Sequence, residues 1–290
     1  MIRLARGVVN HAIPIALVLV IFACNVSLAA GRELHSTNSR AISLYEEGLK
    51  LAEKEQFNEA LEKLKAAIAQ DDKFVEAHLR YMDAFRSVGR GEEVAVMYSN
   101  MVEKNPESPE YNFLYGRTLN DLAGKRAAYR KALALDSTFY YAQFGVGGSY
   151  MLEGRLDEAL VALNKVLKIR PGMTETLRMI GQIYMDKGMP LQAKSVLERA
   201  MATDSSDVQV MLGLGQAYSQ LERFETAEKM FRRAAAIEPG EPLFQYYLAL
   251  VCDMSGRQEE AAGYLGQFLK QAPDHEMAPM VRRMLEKIRK

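Results

Sequence analysis

The sequence predicts an all-α solenoid, a row of helix pairs in which each pair buries its apolar faces against its neighbours. Three observations predict it. Between Tyr140 and Met173 lie two amphipathic stretches: Val146, Gly147 and Tyr150 fall on one face of the first, and Leu156, Ala159, Leu163 and Val166 on one face of the second. Gly154 separates the stretches, and Pro171 with Gly172 closes the unit. The unit then recurs every 34 residues, aligning Gly147, Gly181 and Gly215, then Tyr150, Tyr184 and Tyr218, then Ala159, Ala193, Ala227 and Ala261. A period of that size is the mark of stacked supersecondary units, because one helix hairpin cannot cover both of its own stripes.

The unit beginning at Val208 carries Leu214, Gly215, Tyr218, Phe224, Ala227, Phe231, Ala234 and Pro239. Small residues, aromatics, alanines and a closing proline at these spacings resemble the tetratricopeptide repeat over Ala41 to His275. The resemblance implies a right-handed superhelix of about seven helix pairs, a protein or peptide partner and no cofactor.

Composition narrows the function. Of 290 residues 49% are hydrophobic and 26% charged, and Lys plus Arg equal Asp plus Glu at 37 each. A balanced chain offers no whole-molecule field to hold nucleic acid. The two cysteines, Cys24 and Cys252, stand in different kinds of segment, so neither a disulfide framework nor a metal set can be assembled from them.

Taken in order, residues 1–30 place Arg3 and Arg6 before an apolar run from Ala12 to Ala23, with no acidic residue before Glu33. That is the layout of a secretory signal. Val20 to Cys24 resembles a bacterial lipobox, which would make Cys24 the lipidated first residue of the mature chain and give it a membrane attachment. Ser27 to Ala30 offers a plain cleavage site, and retention as an anchor is the third fate. All three put the remainder outside the cytoplasm.

Residues 31–40 read as a short polar tether. Seven repeats follow, at 41–74, 75–108, 109–139, 140–173, 174–207, 208–241 and 242–275. In the second, Met82 and Val94 replace the small residues, and wider local packing is expected there. The third lacks three residues, a deletion expected at the turn around Ala123, Gly124 and Lys125. Residues 276–290 set Met277, Met280, Met284 and Ile288 on one face, the make-up of a helix that caps the exposed end of a solenoid.

Catalytic candidates are few. His11, His35, His78 and His275 are scattered, with no HExxH or His/Cys cluster near them. The glycines of GVGGSY at Gly145 and GLGQAY at Gly213 fall inside helices, where they let backbones approach, rather than between a strand and a helix as a phosphate loop requires. Asp204 to Asp207 reads as a helix-capping turn, since it lacks the glycine and distal glutamate of a calcium loop. Cys252 reads as a small buried hydrophobe.

What remains is surface. The resemblance implies that the first helix of each pair lines a concave groove with its fifth position facing inward: Tyr45, Leu79, Phe113, Phe144, Arg178, Leu212 and Tyr246. Met151 and Leu250 extend the apolar part, and Arg117, Gln182 and Gln216 the polar part, of this expected partner-binding groove. The alternative reading is a structural or self-associating module that uses its convex face or its degenerate repeats. In either case no enzyme is expected.

Overall fold

The computed structural model describes residues 34–289, and among them every regular element is an α-helix. The fold is all-α, an α-solenoid of antiparallel helix pairs. The signal-like segment and Cys24 lie outside the described residues.

Two compact units are present, one ending at Ile169 and one beginning at Arg170. The first holds α1 (Ser39–Glu53), α2 (Phe57–Gln70), α3 (Val75–Ser87), α4 (Gly91–Lys104), α5 (Pro109–Thr118), α6 (Leu122–Leu135), α7 (Tyr140–Leu152) and α8 (Leu156–Ile169). The second holds α9 (Thr174–Asp186), α10 (Pro190–Thr203), α11 (Val208–Gln220), α12 (Phe224–Ile237), α13 (Leu243–Met254), α14 (Gln258–Gln271) and α15 (Ala278–Ile288). Within each unit consecutive helices pack on one another.

The glycine positions explain how the pairs close. A Cβ added at Gly48, Gly147, Gly181 or Gly215 would meet the side chain of Leu64, Leu163, Leu197 or Phe231 at 2.8, 2.7, 2.6 or 2.5 Å. Each glycine lies sixteen residues before its partner, so every such contact joins the first and second helices of one pair. Gly145 and Gly213 face the other way. A Cβ there would meet Tyr129 at 2.7 Å and Leu197 at 3.0 Å, residues of the preceding pair's second helix. The Gly-x-Gly spacing therefore lets α7 and α11 each approach the helix before and the helix after. Where Met82 stands at the equivalent position, facing Tyr98, both side chains are buried and the α3 and α4 backbones approach less closely than in any other pair. The expectation of wider packing in the second pair holds.

The turn inside a pair is equally regular in six of the seven pairs, the third being the exception. Residues 55, 89, 154, 188, 222 and 256 all have φ between 58° and 81°. The next amide donates back across the turn, as Gln56 does to the Leu51 carbonyl at 3.0 Å and Met189 to the Tyr184 carbonyl at 2.8 Å. This is the Schellman closure, which needs a left-handed residue after the helix. Four of the six are glycine; Glu55 and Glu222 are not.

The third pair departs from the expected position of its deletion. Its turn is no shorter than the others; the three residues are missing from the end of α5, which has 10 residues against 13 in α3 and α7. Gly124 sits in the first turn of α6, where its amide donates to Asp121 Oδ1 at 2.5 Å and a Cβ would fall 2.6 Å from Asp121 Oδ2. Asp121 caps α6 through that amide, so Gly124 stands inside a helix rather than in the turn.

Residues 34–38 also depart from a free tether, since they hydrogen-bond to the first unit. At the other end, Val281 of α15 is buried with Ala249, Leu265 and Phe268, and Met277, Met284, Leu285 and Ile288 pack around that cluster.

Candidate interaction surfaces

The first helices of the first unit carry six of the expected groove residues. Three of them are buried, two beneath the unit's own rings. Tyr45, 6% exposed, packs against Phe74 with centroids 5.0 Å apart. Phe113, 4% exposed, lies among Tyr129, Phe139 and Tyr141 at 5.5 to 5.8 Å. Met151 is 7% exposed. Leu79 and Phe144 are half-buried, and Arg117 is exposed beside the Tyr129 hydroxyl.

In the second unit none of the six is fully buried: Arg178, Gln182, Leu212, Gln216, Tyr246 and Leu250 are all intermediate. Leu212 rests on Val208, Met211, Ala234 and Phe244. Gln216 Nε2 donates to the Tyr247 hydroxyl at 3.1 Å, and the Tyr247 ring stacks on Phe231 at 5.1 Å. Tyr246 tilts against Tyr247 at 5.7 Å, and burial raises the pKa of its hydroxyl. Gln182 Nε2 donates to Asp186 Oδ1 at 2.8 Å; burial raises that carboxyl despite the bond. These side chains are held in place while keeping accessible edges, the condition under which anchors bind without paying much ordering entropy.

The charged residues sort into local sets. Arg80 and Arg86 both pair with Asp83, at 3.5 and 3.2 Å, and burial raises the Asp83 carboxyl against the pull of Arg80, Arg117 and Arg86. Burial lowers Lys125, with Arg117 and Arg86 adding repulsion. In the second unit Glu228 bridges Arg232 and Arg257 at 2.6 and 2.7 Å.

His78, weighed above as a catalytic candidate, has a structural explanation. Its Nε2 faces the Asp72 carbonyl at 2.9 Å and its Nδ1 the Tyr98 hydroxyl at 2.8 Å, which fits a neutral ring donating to the carbonyl and accepting from the phenol. Burial lowers its pKa and favours that neutral form. Asp204 and Asp207 behave as a capping turn: Asp207 Oδ1 accepts from the Gln209 and Val210 amides, and Asp204 Oδ1 from the Ser206 amide. Cys252 is a buried free thiol. Among the described residues no three of His, Cys, Asp and Glu stand where they could hold a metal ion, and no helix is long and apolar enough to cross a membrane.

One constellation had no expectation attached to it. His35, Glu76, Glu110 and Tyr141 meet on the first unit. Its signal was present but weak, since Glu76, Glu110 and Tyr141 are each the second residue of a first helix.

Comparison with known proteins agrees with this architecture. Models described as tetratricopeptide repeat match residues 118–174 and 184–251. Cellulose synthase operon protein C of Xanthomonas axonopodis pv. citri (strain 306) is 26% identical over 220 residues, covering 70% of this chain and 15% of that protein. The chain thus spans less than a sixth of that relative's length. Among solved structures, PilW, described as a widely conserved type IV pilus biogenesis factor, superposes with a TM-score of 0.56 at 19% identity, covering 73% of this chain and all of that one. YrrB, described as a TPR protein with an unusual peptide-binding site, gives 0.54 at 24% identity, covering 65% of this chain and 99% of that one. Helix pairs repeating at 34 residues, glycines seated against the second helix of each pair, and two matching family models together make this chain a tetratricopeptide repeat protein.

Proposed function

We propose that the chain is a non-catalytic interaction scaffold that receives a peptide segment of a partner protein on the first-helix face of its second unit. The observation that carries this reading is the half-buried state of Leu212, Gln216, Tyr246 and Leu250, fixed by packing yet open at their edges. Aromatic anchors set in such surroundings tend to dominate interface energy. Arg178 and Gln182 supply the polar flank. In the first unit Leu79, Phe144 and Arg117 are the accessible members, whereas Tyr45, Phe113 and Met151 support the fold.

Tyr246→Ala should weaken a partner bound there by about 1 to 4 kcal/mol with little loss of helix content. The measurement is recovery of partners from native cells by the intact chain beside the variant. Equal recovery of the same partner would place binding elsewhere.

The setting we infer is a bacterial envelope assembly, supported by the basic-then-apolar layout of residues 1–30 and the lipobox-like Cys24. The description of PilW as a pilus biogenesis factor is in keeping with it. Cys24→Ser should release the chain from membranes on fractionation; unchanged association would remove the lipid anchor from the reading.

A further inference from the structure

Leu34 to Asn38 are not helical, and they run across the first unit. The His35 amide donates to the two Glu76 carboxylate oxygens at 3.2 and 3.3 Å. The His35 Nε2 lies 3.7 Å from Glu110 Oε1, and the ring meets Phe139 and Tyr141 edge-on at 6.0 and 5.9 Å. Leu34 packs on the unit's core, and Asn38 Nδ2 donates to the Gln70 carbonyl at 3.0 Å.

Glu76, Glu110 and Tyr141 occupy the same place in α3, α5 and α7, so the segment crosses three consecutive pairs at one level. The Tyr141 hydroxyl donates to Glu76 and holds that carboxylate in position. Glu110 is only 7% exposed and accepts from Ser108 Oγ at 2.6 Å. A carboxylate that buried is costly unless it is paired and hydrogen-bonded, and the imidazole of His35 supplies the pairing. An extended backbone, one cationic side chain and two aromatic walls together describe a peptide site with a peptide in it.

We propose that the Glu76, Glu110 and Tyr141 row is an acceptor site for an extended peptide segment bearing a cationic side chain, and that Leu34–Asn38 fills it in cis as a displaceable strap. The strap is short, so its charged His35–Glu110 pair weighs heavily beside the Glu76, Leu34 and Asn38 contacts. A partner competing for the site sees only the fraction of molecules in which the strap is off. The site belongs to the first unit, and the proposal does not depend on the second-unit face.

Charge sets the direction of control. The Glu110 hydrogen bond raises the His35 pKa above 6.5 against the opposing effect of burial, with Glu76, Glu110 and Asp71 adding to the rise. Burial pushes the Glu110 carboxyl up, but His35 and Ser108 outweigh it and bring it down to about 2, with help from Lys73. A raised histidine stabilises the closed strap fully below its unfolded value and loses that contribution as pH rises through the folded one. A lowered carboxylate contributes above its unfolded value and is lost only as pH falls toward about 2. The strap is therefore firmest in mildly acidic solution and loosens toward alkaline pH.

The test uses the full chain in detergent and a fluorescent peptide of residues 31–40 carrying His35→Lys, whose charge does not titrate near neutrality. Fluorescence anisotropy at about pH 6 and pH 8.5 reads the affinity. We expect the wild-type chain to bind about tenfold more tightly at the higher pH, as the cis competitor lets go. The His35→Ala chain should bind at least as tightly as that at both values, and adding Glu110→Gln to it should cost about tenfold at both. Tyr246→Ala should change nothing in this assay. A wild-type affinity that does not move with pH, a His35→Ala chain no tighter than wild type at pH 6, indifference to Glu110→Gln, or no binding by any variant would each overturn the proposal.

Discussion

At the scale of single residues, the turns that follow six of the seven first helices show where the sequence is under strain. Six turns use a left-handed residue, and at Gly89, Gly154, Gly188 and Gly256 the missing Cβ makes that conformation inexpensive. Glu222 adopts φ 58° in the same turn, with Arg223 donating back to the Tyr218 carbonyl at 2.9 Å. A side chain in this region costs about 1 kcal/mol, of which glycine recovers part and gives some back through the greater freedom of its unfolded chain. Glu222→Gly should therefore stabilise the protein by about 0.5 kcal/mol, read as a higher urea midpoint at unchanged slope. Gly154→Glu should move the midpoint the other way.

At the scale of elements, seven second helices of 14 residues each contrast with first helices that vary from 10 to 15. Six of the seven second helices set at least one fully buried alanine, such as Ala159 or Ala193, against their neighbours, and α4 sets Val94 there instead. The last element, α15, covers the end of α13 and α14 through Val281. A charge there has no partner in an apolar cluster, so Val281→Asp should cost about 2 to 4 kcal/mol and loosen α14 as well as α15. Val281→Leu should be nearly silent, and a midpoint for the aspartate variant close to wild type would mean that α15 does not seal the stack.

The elements were legible in the sequence for a local reason. Apolar stripes, the glycine at a turn and the proline after a pair all act within one unit and repeat, so Pro190 opening α10 and Gly188 before it could be read directly. The shortened α5 was not legible, because a glycine at 124 signals a loop by habit and only the Asp121 cap shows its actual use. Site residues were legible as positions but not as exposures. Phe113 occupies the expected inward place, yet Phe139 and Tyr141 from the next pair close over it, and nothing local to Phe113 announces them. The His35 contact spans 41 residues to Glu76 and 75 to Glu110, beyond the reach of any periodic pattern.

At the scale of the whole molecule, the core is a row of local contacts rather than one centre, and that determines how damage spreads. In a stack of this kind each pair is stabilised by itself and by its immediate neighbours, so stability is close to a sum of nearest-neighbour terms. Gly215 provides a sharp local lesion, since a Cβ there would fall 2.5 Å from Phe231 Cε1, and the ring is fully buried with no free direction to yield. Overpacking of that sort costs about 1 to 3 kcal/mol. In a molecule with one shared core, Gly215→Ala would lower amide protection everywhere by a similar amount. In this one, hydrogen exchange should fall most in α11 and α12, less in α10 and α13, and least in α15, which reaches the lesion only through the intervening helices of its unit. Loss of protection in α15 equal to that in α12 would show that the unit opens as a single cooperative body, and the nearest-neighbour account would fail.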